Sequence, residues 1–220
     1  MVRSKRELAI FLSKLKVFSK PKPNLEQYPS DSNVAASLLW HMALSQDDLE
    51  SKKIIDLGCG TGILGIGALV LGVKFVEFID IDPSIYVILK ENILFAEEYF
   101  GVSFEEKWSF SNCNVLNCDR EGDLSVDSNL IVIMNPPFGT KKRHIDKKFL
   151  EFAIRMSPKV YSMHKTSTIA FIESFSRSEG ISIVWRDDLS FPIKNTMEGH
   201  RSKIKRIEVS IFYLEKFFST

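Results

Sequence analysis

The stretch Ile54-Ile55-Asp56-Leu57-Gly58-Cys59-Gly60-Thr61-Gly62 carries an apolar strand into a glycine-rich turn, and from Ile63 the chain takes up helical spacing that Gly72 ends. Strand, glycine turn and helix in that order make the first half of a βαβ unit, and glycines at the junction let backbone N–H groups approach a ligand closely. A dinucleotide fingerprint G-x-G-x-x-G counted from Gly58 needs glycine at position 63, where this chain has Ile63; the spacing argues against a nicotinamide or flavin site. Residues 75–80 read as the second strand. Asp80 stands at its end, twenty-two residues after Gly58 and with Asp82 nearby, where an acid accepts hydrogen bonds from ribose hydroxyls. A nucleoside ligand is the expectation. The plainer alternative is that the glycines only make a tight turn and Asp80 only caps the next helix.

Upstream, Leu8, Phe11, Leu12, Leu15 and Phe18 follow one helical face that ends before Pro21 and Pro23. An irregular LEQYPS at 25–30 follows, and Asp31 or Ser32 caps a helix through Val34, Leu38 and Leu39 that closes near Asp47. Downstream, Pro83 opens a helix through Asn92 and Tyr99, and strands are expected at 108–115 and 130–134. Helical spacing resumes at Phe149, Phe152, Ile154 and Met156, then a strand at 160–163, a helix near 167–178, and strands at 181–185 and 207–214. Alternating strands and helices predict a doubly wound, mostly parallel α/β sheet with helices on both faces. The expected organisation is an N-terminal helical extension and linker over 1–24 and one α/β domain over 25–220.

The remaining composition narrows the class. With 45% hydrophobic and 26% charged residues among 220, the chain is ordinary globular protein with length for a sizeable core. Its longest near-apolar run, 63–73, is too short to cross a bilayer, and Lys14 and Lys16 interrupt the apolar stretch a secretory signal needs. Cys59, Cys113 and Cys118 are an odd number without a CxxC pair, so neither a disulfide framework nor a metal site is expected, and a reducing, cytoplasmic setting is the default. Net charge is only +1 but unevenly spread. Residues 1–22 hold seven Lys/Arg against Glu7 alone, 141–148 five against Asp146, and 194–206 five against Glu198. Gathered on one side they would form a cationic face that tracks phosphates; scattered, they are solvated surface.

Asn135-Pro136-Pro137-Phe138 follows the apolar fourth strand directly, and the carboxyl edge of a parallel sheet is where ligands bind. Methyl transfer to an aromatic amine needs two acceptors aimed at its two N–H groups, because the nitrogen lone pair is delocalised into the ring. The Asn135 side-chain oxygen and the Pro136 carbonyl supply them, the prolines fix the turn, and Phe138 can stack on the base. A sulfonium methyl donor is already electrophilic, so neither a metal nor a strong general base is demanded. Lys141, Lys142 and Arg143 come immediately after, and His164-Lys165 ends the fifth strand; these and His200 are candidate RNA contacts, with a packing role the alternative for His164. Cys59 reads as a small loop filler, and Trp40, Trp108 and Trp185 as core.

Together these motifs resemble the class I S-adenosylmethionine-dependent methyltransferases that modify amino groups. LEQYPS at 25–30, DLGCGTGILGIGALVLG at 56–72, IDIDP at 79–83, VIMNPPFGTK at 132–141 and VYSMHKTST at 160–168 resemble the small-subunit ribosomal RNA adenine-N6 methyltransferases of archaea and eukaryotes, over nearly the whole chain. The resemblance implies a seven-stranded sheet with its last strand antiparallel. It implies a cofactor site in which Gln27, Tyr28 and Ser30 fold over S-adenosylmethionine, Asp56, Gly58, Gly60, Thr61, Gly62 and Ile63 line its methionine part, Asp80 takes the ribose, and Asn114 and Val115 meet the adenine. Asn114 stands where the family usually has an acid. It further implies a catalytic turn at Asn135, Pro136, Pro137 and Phe138, an RNA substrate and a small zinc-binding activator protein. A protein-glutamine methyltransferase uses the same two-acceptor geometry, though its relatives usually carry a hydroxylated aromatic where Phe138 stands. A non-catalytic RNA-binding scaffold is the reading from another class.

Overall fold

A computed structural model describes residues 2–115, 117, 129–138, 145–193 and 205–217. Its strands are β1 (Lys53–Leu57), β2 (Phe75–Asp80), β3 (Trp108–Asn112), β4 (Leu130–Met134), β5 (Lys159–Lys165), β6 (Ile181–Ile193) and β7 (Lys205–Lys216). They form one seven-stranded sheet in the order β3-β2-β1-β4-β5-β7-β6. The first five strands run parallel, and β7 is antiparallel to both its neighbours. Strand order reverses between β1 and β4, so the crevice beyond their carboxyl ends is the topological switch point where this fold binds ligands.

Helices α1 (Lys5–Leu12), α2 (Ser32–Ser45), α3 (Ile63–Leu71) and α4 (Ile85–Phe100) contribute Leu8, Phe11, Leu38, Leu39, Ile66 and Leu89 to the core on one face of the sheet. On the other face, α5 (Ile145–Met156) and α6 (Ile169–Glu179) bury Phe149, Phe152, Ile172 and Phe175 against Leu57, Val132 and Phe212. Asp31 caps α2 by accepting the backbone N–H groups of Asn33 and Val34. In α3, a Cβ on Gly65 would collide with the Phe78 ring, so glycine there lets the helix sit directly on the sheet. Trp40, Trp108 and Trp185 pack against the core but are only partly buried.

Three elements depart from the sequence reading. α1 stops at Leu12 although the apolar face continues to Phe18: Asn92 of α4 accepts the Lys16 N–H and donates to the Lys16 carbonyl, taking backbone groups a longer helix would use. β3 ends at Asn112 rather than Val115, since β2 ends at Asp80, and the chain turns so that Asn117 N–H meets the Asn114 carbonyl. β6 and β7 run past the end of β5 as a two-stranded ribbon, and before it the polar Arg186-Asp187-Asp188 stretch of edge strand β6 hides the alternation that marks a half-buried strand. Cys59 is free and buried, whereas Cys113 is in a disulfide, a bridge the cysteine count did not announce. An odd cysteine count without CxxC spacing does not prevent a single bridge. No helix among the described residues is long and apolar enough to cross a membrane.

Candidate active site

β1 delivers the chain to Gly58, whose N–H and that of Cys59 donate to the Ile79 carbonyl of β2 at 2.8 and 3.0 Å. Gly60 takes φ 53°, a left-handed conformation that favours glycine, and its N–H donates to Asp80 Oδ2 at 2.9 Å. Asp80 Oδ1 accepts the Asp82 N–H at 2.9 Å. The end of β2 and the glycine turn are thus tied into one rim, and burial raises the Asp80 carboxyl above its ordinary value despite these bonds. Beneath the turn, Asp56 is 1% exposed and accepts the Gly65 N–H at 2.8 Å. Burial, with Asp80 close by, pushes it up to about 7. The Cys59 thiol is raised well above its usual value by burial and by both aspartates, so it stays protonated and fills the loop.

A strap from the N-terminal segment covers this rim. Lys22 Nζ bonds Asp82 Oδ1 at 2.7 Å, Gln27 Nε2 bonds Asp82 Oδ2 at 2.8 Å, and the Lys22 N–H donates to Gln27 Oε1 at 2.9 Å. Asp82 is 3% exposed. Burial alone would raise its carboxyl, but hydrogen bonds from Lys22, Ser84 and Gln27 outweigh it and hold Asp82 well below the usual carboxylate range. Asp82 is therefore the latch of the strap. Motif spacing could not reveal this, since Lys22 and Asp82 are 60 residues apart.

From β4 the chain enters Asn135-Pro136-Pro137-Phe138. Asn135 Nδ2 donates to Ser30 Oγ at 2.8 Å. On the other side the Tyr28 hydroxyl meets Asn135 Oδ1 at 3.5 Å and the Pro136 carbonyl at 3.4 Å. Burial, then Glu26, pushes the Tyr28 phenol up, so it remains a donor. The Tyr28 and Phe138 rings are 5.1 Å apart and tilted 33°, and Lys165 Nζ lies 5.1 Å from the Phe138 ring centroid.

One open cleft joins these parts. It is lined by Gln27, Tyr28, Ser30, Asp56, Gly58, Gly60, Thr61, Ile63, Asp80, Asn114, Val115, Asn135 and Pro137. Gly62 lies behind it, where a Cβ would meet Leu89 and Ile66, and Pro136 and Phe138 extend the turn at its side. Phe18, Cys113, Ile145 and Phe149 also line the cleft and carried no local signal. His164 does not belong to it. It is 1% exposed, with Nε2 3.1 Å from Ser162 Oγ, and burial lowers its pKa to about 3, so an RNA contact gives way to packing. Lys141, Lys142, Arg143 and His200 lie outside the described residues.

A sheet in this order, with the seventh strand antiparallel, a glycine turn after β1 and an acid ending β2, defines the class I methyltransferases. The sequence model of the ribosomal protein L11 methyltransferase (PrmA) family matches residues 37–102, the part that builds the turn and its supporting helices. Over nearly its whole length the chain is similar to the rRNA N(6)-adenosine-methyltransferase METTL5 of Danio rerio, 34% identical over 208 residues (93% of this chain, 95% of the relative). It is also 32% identical over 218 residues to Mettl5 of Drosophila melanogaster (96% and 95%). The crystal structure of PH1948 from Pyrococcus horikoshii superimposes with a TM-score of 0.81 at 39% identity, covering 99% of this chain and 100% of that one. The chain belongs to the rRNA N6-adenosine-methyltransferase family, and it is a methyltransferase.

Proposed function

We propose that this chain transfers a methyl group from S-adenosylmethionine to the exocyclic N6 amine of an adenosine in small-subunit ribosomal RNA. The observation that carries the reading is the convergence of Asn135 Oδ1 and the Pro136 carbonyl on one point beside Phe138, occupied by the Tyr28 hydroxyl at 3.5 and 3.4 Å. Two acceptors meeting beside an aromatic face suit an N–H₂ group on a flat base. Relatives spanning nearly the whole chain carry the name rRNA N6-adenosine-methyltransferase.

The cleft fits the methyl donor. Gly58 and Gly60 present bare backbone where a Cβ would meet Phe149 and Phe18 at 3.0 Å, and the Asp80 carboxylate ends β2 at the cleft wall. Asp80 would take the ribose hydroxyls, Asn114 and Val115 the adenine, and Asp56, Gly58, Gly60, Thr61, Gly62 and Ile63 the methionine side, beneath Gln27, Tyr28 and Ser30. The bound donor supplies an electrophilic methyl on a sulfonium. On the acceptor side, Asn135 and Pro136 hold the two N–H bonds, which favours a pyramidal nitrogen and withdraws its lone pair from conjugation with the ring, while Phe138 stacks on the base.

An internal adenosine must leave its stack to reach this turn, which single-stranded or looped RNA makes cheap. Lys165 over Phe138, with Lys141, Lys142 and Arg143 following the turn in sequence, would meet the flanking phosphates. A small zinc-binding activator protein belongs to this reading through the family resemblance alone; co-expression should raise solubility or activity, and an equally stable, equally active lone chain would count against it. For the site, Asn135→Ala should keep cofactor affinity, measured by calorimetry, while lowering turnover roughly 10²–10³-fold, as when one preorganised polar group is lost. Equal turnover in variant and parent would sink the assignment.

A further inference from the structure

The Tyr28 hydroxyl sits where the reading above puts the substrate's amine. It is a half-buried donor within 3.5 Å of both acceptors of the Asn-Pro pair, and its ring lies 5.1 Å from the Phe138 ring. A base stacked between two aromatic faces needs them about 7 Å apart, two carbon contact distances of roughly 3.5 Å. Tyr28 and a base therefore cannot occupy the turn together in this arrangement. On the opposite side of the same carboxamide, Ser30 Oγ takes the Asn135 N–H at 2.8 Å. A carboxamide is free to present either its oxygen or its nitrogen to the cleft. Pinning Nδ2 on Ser30 leaves Oδ1 facing the cleft, and a phenol that donates there favours the same orientation.

We propose that the Tyr28–Ser30 segment arms the acceptor pair: Ser30 sets the orientation of the Asn135 carboxamide, and the Tyr28 hydroxyl holds the amine's place until the base displaces it. The inference rests on the amine-methylating reading and adds two positioning residues to it. A base amine brings two N–H donors, one for each acceptor. The phenol brings a single O–H shared between them over long distances, so the amine is the better occupant and the exchange runs toward substrate. The Asp82 latch holds both residues in place through Lys22 and Gln27, which links the covering of the cofactor rim to the readiness of the acceptor pair.

Steady-state transfer from S-adenosylmethionine to small-subunit ribosomal RNA, with N6-methyladenosine as readout, separates the roles. Tyr28→Phe removes the placeholder and should lower the KM for RNA about threefold or more, raising kcat/KM; an unchanged or higher KM would overturn the placeholder role. Ser30→Ala should lower kcat about tenfold, at least fivefold more than any loss of S-adenosylmethionine affinity measured by calorimetry. Ser30→Thr, which keeps the hydroxyl, should recover most of that turnover. Equal kcat for Ser30→Ala and parent, or no difference between the alanine and threonine variants, would overturn the orienting role. The parent enzyme is read in the same assay: absence of N6-methyladenosine from its RNA defeats the substrate reading, whereas a working parent with indistinguishable variants defeats this inference alone.

Discussion

Asp56 and Asp80 stand at the two ends of the glycine turn, one beneath it and one at its rim, and each makes its own test. Asp56 is buried and pushed up to about 7. A carboxyl whose folded-state value lies above its unfolded value, about 3.9, contributes stability that is complete below about pH 4 and lost as pH rises through about 7. Asp56→Asn keeps an acceptor for the Gly65 N–H but cannot ionise. Its melting temperature should gain on the parent steadily between pH 4 and pH 8; a difference that stays constant across thermal scans would contradict the buried, raised carboxyl. Asp80→Ala should weaken S-adenosylmethionine binding tenfold or more by calorimetry, and unchanged affinity would refute the ribose role. Asp80 was legible because its distance from Gly58 is a local, countable feature. The latch at Asp82 was not, because its partners Lys22 and Gln27 come from a segment that only folding brings to it.

Among the elements, α3 packs so closely that two of its glycines leave no room for a Cβ. A Cβ on Gly65 would run into the Phe78 ring and lie 2.9 Å from Asp56 Oδ2, whereas one on Gly67 would meet chiefly the terminal methyl of Leu39. Gly65→Ala should therefore destabilise by about 1–3 kcal/mol in urea melts, the usual range for overpacking. Both variants gain up to about 1 kcal/mol of helix propensity, and Gly67→Ala should lose less because the end of an aliphatic side chain yields more readily than a ring and a carboxylate. An equal loss for the two would mean that the helix, rather than the side chains, adjusts. The glycine turn and the central strands could be read from sequence because each carries its own period and its own stop. The end of α1 and the length of β6 could not: one is decided by Asn92, 76 residues from Lys16, and the other by pairing with β7.

At the scale of the whole molecule, the ends that flank the three basic stretches are set by the sheet topology. The first ends at Lys22 on the Asp82 latch, the second lies between Phe138 and Ile145 in sequence, and the third connects β6 and β7 beyond the point where β5 ends at Lys165. The charges are visible in sequence, but only the topology shows that β7 reverses, so that its amino end lies beside the carboxyl end of β5. Neutralising Lys141, Lys142 and Arg143 together should flatten the salt dependence of RNA binding by up to about three phosphate contacts, a change of roughly 2–3 in the slope of log affinity against log salt. An unaltered slope would put the phosphate contacts elsewhere.

The acceptor pair at the end of β4 unites the fold, the cleft and the proposed chemistry. The decisive measurement is transfer of labelled methyl from S-adenosylmethionine to purified small-subunit ribosomal RNA, by the parent chain and by Asn135→Ala, with nucleoside analysis of the product. Label recovered as N6-methyladenosine with the parent and lost with the variant is the expected result. Label found only in protein, or in RNA equally with both enzymes, would contradict it.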